Sequence, residues 1–115
     1  MRALICREFG PEENLKVEDV ADPEAGPGHV VIDVKAAGLN FPDLLCVRGE
    51  YQFKPERPFV PGGEGAGVVS AVGEGVDNFS VGDRVCFNGL TGAFAEKIAA
   101  PAQTKLPSAG LRRCL

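Results

Sequence analysis

The run His29-Val30-Val31-Ile32-Asp33-Val34-Lys35-Ala36-Ala37, followed at once by Gly38-Leu39-Asn40-Phe41-Pro42-Asp43-Leu44-Leu45-Cys46-Val47, decides how this chain is read. In its first half Val30, Ile32 and Val34 share one face of an extended chain, because side chains alternate across a strand. From Phe41 the period changes. Phe41, Leu44, Leu45 and Val47 suit a short amphipathic helix, with Pro42 in its first turn and Gly49 at its end. This is the clearest strand of the sequence, and the helix after it is the only segment with helical spacing.

Working outward, the other signals are short strands and turns. Arg2 to Cys6 alternates as a first strand, and Leu15 to Val20 follows the Gly10-Pro11 break, with Leu15, Val17 and Val20 expected to face inward. The two are expected to pair. Pro23 to Gly28 is a turn-rich connector. Tyr51 to Pro61 carries Pro55, Pro58 and Pro61, too many for a central strand or a helix, and reads as an extended surface loop. Val68 to Val72 resumes a strand that Gly73-Glu74-Gly75 breaks. Gly82-Asp83 makes a turn between apolar positions, and Ala93 to Ala99 supplies a last strand before Pro101. Six or so short strands and one helix predict a mainly β fold, a partly open β-barrel with one short helix after the third strand.

Composition sets the outer bounds. The chain has 115 residues, one domain's worth of material. Hydrophobic residues make up 44% and charged ones 24%, which is ordinary, whereas 15 glycines and 9 prolines are many and favour turns over long helices. A net charge of -4 with no Lys/Arg cluster argues against nucleic acid as a partner. No apolar run approaches the ~20 residues that span a bilayer, so no membrane partner is expected and the chain reads as cytoplasmic. The four cysteines Cys6, Cys46, Cys86 and Cys114 lie far apart beside a single histidine. They match neither a zinc site nor a disulfide framework and read as reduced, mostly buried thiols.

The glycine block Pro61-Gly62-Gly63-Glu64-Gly65-Ala66-Gly67-Val68-Val69, with Val72-Gly73-Glu74-Gly75-Val76 behind it, invites a phosphate-loop reading. Spacing refuses it. The third glycine of G-x-G-x-x-G is replaced by Val68, Ser70 or Asn78, depending on which pair begins the motif. Glycines at bulges and tight barrel corners are the better account.

Taken in order, that block, Val81-Gly82-Asp83-Arg84-Val85 and Ala36-Ala37-Gly38-Leu39-Asn40-Phe41-Pro42-Asp43 resemble the quinone oxidoreductase branch of the medium-chain dehydrogenase/reductase superfamily, specifically its N-terminal GroES-like, alcohol dehydrogenase-like domain. The likeness runs from Met1 to about Pro107. It implies a GroES-like substrate domain over 1–107 and an atypical tail over 108–115, with the Rossmann cofactor domain of relatives absent. Zinc-dependent members carry a Cys in the place of Asn40 and a His in the place of Gly63. Neither residue here suits zinc, which needs about three N or S side chains, so no metal site is expected.

The resemblance also assigns roles. Asn40, in the matching Asn-Phe-x-Asp stretch, is implied to contact the nicotinamide or the substrate. An equally weighted local reading makes it a helix cap, worth ~1 kcal/mol. Asp43 is a favourable dipole partner for the first helical turn or a cofactor-side residue. Arg48 and Tyr51, in Arg48-Gly49-Glu50-Tyr51, match a stretch beside the family's cleft, with Arg48 on the cofactor side and Tyr51 donating a hydrogen bond to a quinone carbonyl. The bland alternatives are a snorkelling arginine and a wet surface tyrosine. Glu64 is expected to tie down local backbone, and His29 to be a solvated turn residue. The implied reaction is hydride transfer from NADPH to a quinone or activated enone, by a zinc-independent oxidoreductase. Without a nucleotide domain this short chain is expected to be inactive, with exposed edges that favour a homodimer. The alternative is a noncatalytic GroES-like module that binds a partner or assembles.

Overall fold

The computed structural model describes residues 1–103 and 110–114. Seven strands and one α-helix are formed among them: β1 (Arg2–Ile5), β2 (Lys16–Asp19), β3 (His29–Gly38), α1 (Phe41–Arg48), β4 (Glu64–Val72), β5 (Arg84–Asn88), β6 (Lys97–Pro101) and β7 (Gly110–Arg113). β1 and β2 form an antiparallel pair. The other five make one antiparallel sheet in the order β6-β3-β4-β5-β7. This sheet curls until its edge strands β6 and β7 approach each other, which gives the mainly β, partly open barrel that the alternation predicts.

The barrel closes around Val30 and Ile32 of β3, Val69 of β4 and Val85 and Phe87 of β5, with Phe79, Ala93 and Ala100 filling the ends. The β3 face read from the sequence is thus the core face. Fully burying side chains of this size stabilises by about 1.5–3 kcal/mol each. A second cluster, Cys6, Val47 and Phe59 with Phe9 and Leu15 against it, fixes α1 to the N-terminal segment. Gly49 ends the helix in the left-handed region at φ 73 and lies against Phe9, so close that a Cβ would sit 2.8 Å from the ring.

Several sequence expectations are corrected. β4 begins at Glu64 rather than Val68, and Gly65 and Gly67 lie inside a central strand, not at barrel corners. They are small because neighbours press in. A Cβ on Gly65 would lie 2.7 Å from the Phe87 ring and 2.8 Å from the Ala36 carbonyl, and one on Gly67 would run into the Asp33 carbonyl. Gly67 does meet a bulge, because it pairs with Val34 where the β3–β4 register slips before Ala36; a second slip lies between Val31 and Ile32.

Val17 does not face inward: it is 57% exposed. The β1–β2 register sets Val17 opposite Leu4, whereas the buried Ala3 and Ile5 face Glu18 and Lys16, and a shift of one residue exchanges the faces of a strand. The α1 face also differs, since Asp43, Cys46 and Val47 are buried while Phe41 is 60% exposed. The 51–61 loop is no simple surface loop, because Pro55, Phe59 and Pro61 are buried and Phe59 exchanges backbone hydrogen bonds with Cys6. Only Cys6 and Cys46 are buried; Cys86 is exposed and Cys114 half-buried. The last sheet strand before the tail is Lys97–Pro101 rather than Ala93–Ala99, and residues 110–113 of the tail add the unforeseen β7.

Candidate active site

The site is built where β3 ends and α1 begins. Asn40 has extended backbone, φ -128 and ψ 160, and sits at the N-cap of α1 with Pro42 in the first turn. Its N–H donates to Asp43 Oδ2 at 2.9 Å, one arm of a capping box. Asp43 is 6% exposed, the one buried charged side chain among the described residues, and its carboxylate stands at the positive end of the helix dipole. Asp43 therefore holds the turn that presents Asn40.

The Asn40 side chain is held from the other side. Its Nδ2 donates to Glu64 Oε1 at 3.0 Å. Glu64 is in reach because β3 and β4 pair Gly38 directly with Glu64. A Cβ on Gly38 would collide with the Glu64 carboxylate, so glycine at 38 is what admits this carboxylate beside the Asn40 amide. Sequence reasoning gave Glu64 a backbone-tethering role, and the structure gives it the Asn40 side chain instead. The signal was the cross-strand register, which composition and spacing do not carry.

Beside this pair runs a groove of about 600 Å³, lined by Ala36–Gly38, Glu64–Ala66 and Cys86–Asn88, with Gly110 and Arg112 of β7 along one rim. An apolar slot of about 360 Å³ adjoins it through Phe87 and Asn88, with Phe53, Leu90 and Ile98 in its walls. Both volumes fall in the range of small-molecule sites. Groove and slot escaped the sequence reading because their walls come from four or more separate segments.

Two of the residues assigned from the sequence, Arg48 and Tyr51, do not line the groove. Arg48 closes the other end of α1, about 12 Å away for eight residues of helix. There it forms a double ion pair with Glu12, Nη2 to Oε2 at 3.0 Å and Nε to Oε2 at 3.2 Å. Hydrogen bonding within its own residue and from Arg48 holds the Glu12 carboxyl below its ordinary value. Tyr51 is half-buried two residues beyond Gly49 and lines neither the groove nor the slot. His29 is exposed and its Nδ1 lies 3.0 Å from the Pro27 carbonyl oxygen. Under α1, burial first and the Asp43 charge second push the Cys46 thiol up.

The arrangement offers the Asn40 side-chain amide, bound by the Glu64 carboxylate while Asp43 holds the backbone N–H, beside a groove with an apolar annex. Among the described residues no three His, Cys, Asp or Glu side chains come together as a metal site, and no helix is long and apolar enough to cross a membrane. A dinucleotide fits only in part. The space left by Gly65 and Gly67 is taken up by Phe87 and by the carbonyls of Ala36 and Asp33, so these glycines leave no cradle for a pyrophosphate. The groove itself, with Glu64 in its wall, has the volume for a flat ring.

Comparison with known proteins agrees with this geometry. The alcohol dehydrogenase GroES-like domain model matches residues 26–109. The quinone oxidoreductase of Rattus norvegicus is 39% identical over 109 residues, which is 93% of this chain and 33% of that protein. The synaptic vesicle membrane protein VAT-1 homolog of the same species is 43% identical over 109 residues, 92% of this chain and 27% of that protein. The solved structure of a mycobacterial quinone oxidoreductase superimposes with a TM-score of 0.81 at 40% identity, covering 89% of this chain and 32% of that one. The quinone oxidoreductase of Escherichia coli, solved with NADPH, gives a TM-score of 0.80 at 28% identity over 90% of this chain and 33% of that one. The chain thus spans about a third or less of the length of these relatives. By its curled sheet, the short helix that follows the third strand and these likenesses, the chain belongs to the alcohol dehydrogenase GroES-like domain family of the medium-chain dehydrogenase/reductase superfamily, among whose members are quinone oxidoreductases.

Proposed function

We propose that residues 1–107 form the substrate side of an NADPH-dependent quinone oxidoreductase of the cytoplasm that works without zinc. NADPH supplies the hydride when bound, and the acceptor is a quinone or an activated enone. What these residues do is orient and polarise. Asn40 offers its amide to the ring stacked in the groove, Glu64 orients that amide, and Asp43 holds the Asn40 backbone at the helix start, as a positioned donor requires. Phe53 and Leu90 keep water from the apolar side of the acceptor. Tyr51 is assigned as the donor to the acceptor oxygen. Gly63 and Asn40 stand where zinc enzymes carry ligands, and neither provides one. The tail over 108–115 is atypical of the family, and its Gly110 and Arg112 form one rim of the groove.

The observation that carries the reading is the Asn40–Glu64 hydrogen bond at 3.0 Å on the edge of a groove of ring-accommodating size. The 115 residues by themselves are inactive on this reading, because the cradle for the cofactor phosphates lies outside them.

The test is an NMR titration of the isolated chain with duroquinone, the fully methylated benzoquinone, which has no free ring position for thiol addition. The side-chain amide of Asn40 should shift saturably, and Glu64→Ala should weaken that shift. NADPH alone should give no saturable change at micromolar concentration. Duroquinone shifts confined to residues away from Asn40, or tight NADPH binding, would overturn the assignment.

A further inference from the structure

We propose that Cys86 and Cys114 are a redox-responsive pair, which a peroxide closes into a disulfide that locks the last strand onto the rim of the groove. The inference rests on strand geometry and does not depend on the reaction proposed above.

β5 and β7 run antiparallel with Val85 opposite Arg113 and Cys86 opposite Arg112. One rung further, the Cys114 N–H donates to the Arg84 carbonyl at 2.8 Å, so the ladder continues to Cys114. Cys86 and Cys114 are therefore diagonal neighbours on the same face of the β5–β7 ladder. Diagonal neighbours of this kind have Cα atoms about 7–8 Å apart, against an upper limit of about 6.8 Å for an unstrained disulfide. Closure needs a movement of about 1 Å at Cys114, which stands one residue past the end of β7 and is tied to β5 by its own N–H.

Accessibility divides the four cysteines. Cys86 is exposed and Cys114 half-buried, whereas Cys6 and Cys46 are buried and Cys6 Sγ donates to the Glu8 carbonyl at 3.3 Å. Burial first, then the hydrogen bond and charge of Cys86, raise the Cys114 thiol above its ordinary value. Cys86, the exposed member of the pair, meets the oxidant first.

The chemistry balances with hydrogen peroxide as the two-electron oxidant. The Cys86 thiolate attacks one peroxide oxygen, the O–O bond breaks, and with a proton one water leaves behind a sulfenic acid. Cys114 gives up its proton and attacks the sulfenic sulfur. The S–S bond forms, the S–O bond breaks, and a second water departs. Cys86, Gly110 and Arg112 line the groove together, so the disulfide fixes one groove wall to another.

The experiment treats the purified full chain with one equivalent of hydrogen peroxide and counts thiols after denaturation. The count should fall from four to two, with the chain still monomeric on a non-reducing gel. Trypsin should release segment 85–97 cross-linked to segment 114–115. In Cys114→Ser the reaction should stop at the first step, and dimedone should label Cys86. Amide exchange at Arg112 and Arg113 should be slower in the oxidised chain than in the reduced one. Four thiols after treatment, loss of Cys6 or Cys46 instead, a disulfide between two chains, or unchanged exchange at β7 would each overturn the proposal.

Discussion

Replacing Asp43 by alanine removes the carboxylate that takes the Asn40 N–H at 2.9 Å, on a side chain only 6% exposed. Three effects set the size of the change. A hydrogen bond to a charged partner contributes about 1.5–3 kcal/mol net. A carboxylate in the first turn gains a further 0.3–1 kcal/mol or so from the helix dipole. Against these, burying the charge has already consumed part of the gain. The Asn40 amide is only partly buried, so water can take over some of what Asp43 gave. The net expectation for Asp43→Ala is a loss of about 1–3 kcal/mol, near the upper end of capping losses. At about 4–8 °C per kcal/mol for a domain of this class, the melting temperature should fall by roughly 5–20 °C. Asp43→Asn keeps an acceptor of the same shape and should recover about half of the loss. Urea unfolding followed by circular dichroism reads the difference directly. A change within about 0.5 kcal/mol, as at an ordinary surface position, would refute the view that Asp43 holds the Asn40 turn.

Gly67→Ala should cost about 3 kcal/mol or more, because the new Cβ meets the Asp33 backbone carbonyl, which cannot swing aside, whereas Gly26→Ala has nothing within 4 Å and should change stability by less than about 0.5 kcal/mol; equal melting temperatures for the two variants would count against the register of β3 and β4. Asp33 and Lys97 face each other across β3 and β6 at 2.5 Å, and the hydrogen bond from Lys97 is the chief reason the Asp33 carboxyl lies below its ordinary value. The contribution of this carboxylate is complete above its unfolded value of ~3.9 and drains away as pH falls through the lower folded value. Asp33→Asn should therefore flatten the acid limb of the melting-temperature profile below about pH 4, modestly and less so in high salt, since the pair is about a third exposed. An acid limb as steep in Asp33→Asn as in the parent would contradict it.

How much of this was legible in the sequence follows from which interactions are local. The alternation at Val30, Ile32 and Val34 and the Pro42 and Gly49 signals bounding α1 are read within a few residues, and the fold class followed from them. The identity of the buried helix face was not. A helix of eight residues has too few apolar positions for its period to fix the inward face, and packing against Cys6 and Phe59 buries Val47 as expected but turns Phe41 outward. Val17 failed for a similar reason, since β1–β2 register decides which face is inward and alternation alone does not. In the site, Asn40 and Asp43 were visible because a cap is local. Glu64 was visible as a residue but not as the partner of Asn40, because that bond spans 24 residues and depends on the Gly38–Glu64 pairing. Arg48 was assigned to the cleft by resemblance, and its observed partner Glu12 lies 36 residues earlier, where no local pattern points.

The central claim is that this chain presents Asn40 to the acceptor of a hydride in a site that needs no zinc. The most direct measurement joins the chain to the nucleotide-binding domain of the mycobacterial quinone oxidoreductase it resembles and follows NADPH oxidation by duroquinone in the presence of a chelator. NADPH fluorescence and circular dichroism establish beforehand that the joined protein is folded and loaded. The account expects turnover that the chelator leaves unchanged and that Asn40→Ala lowers by about tenfold in kcat/KM, the equivalent of one hydrogen bond of about 1.4 kcal/mol. Turnover that appears only when zinc is added, or that Asn40→Ala leaves untouched, would contradict it.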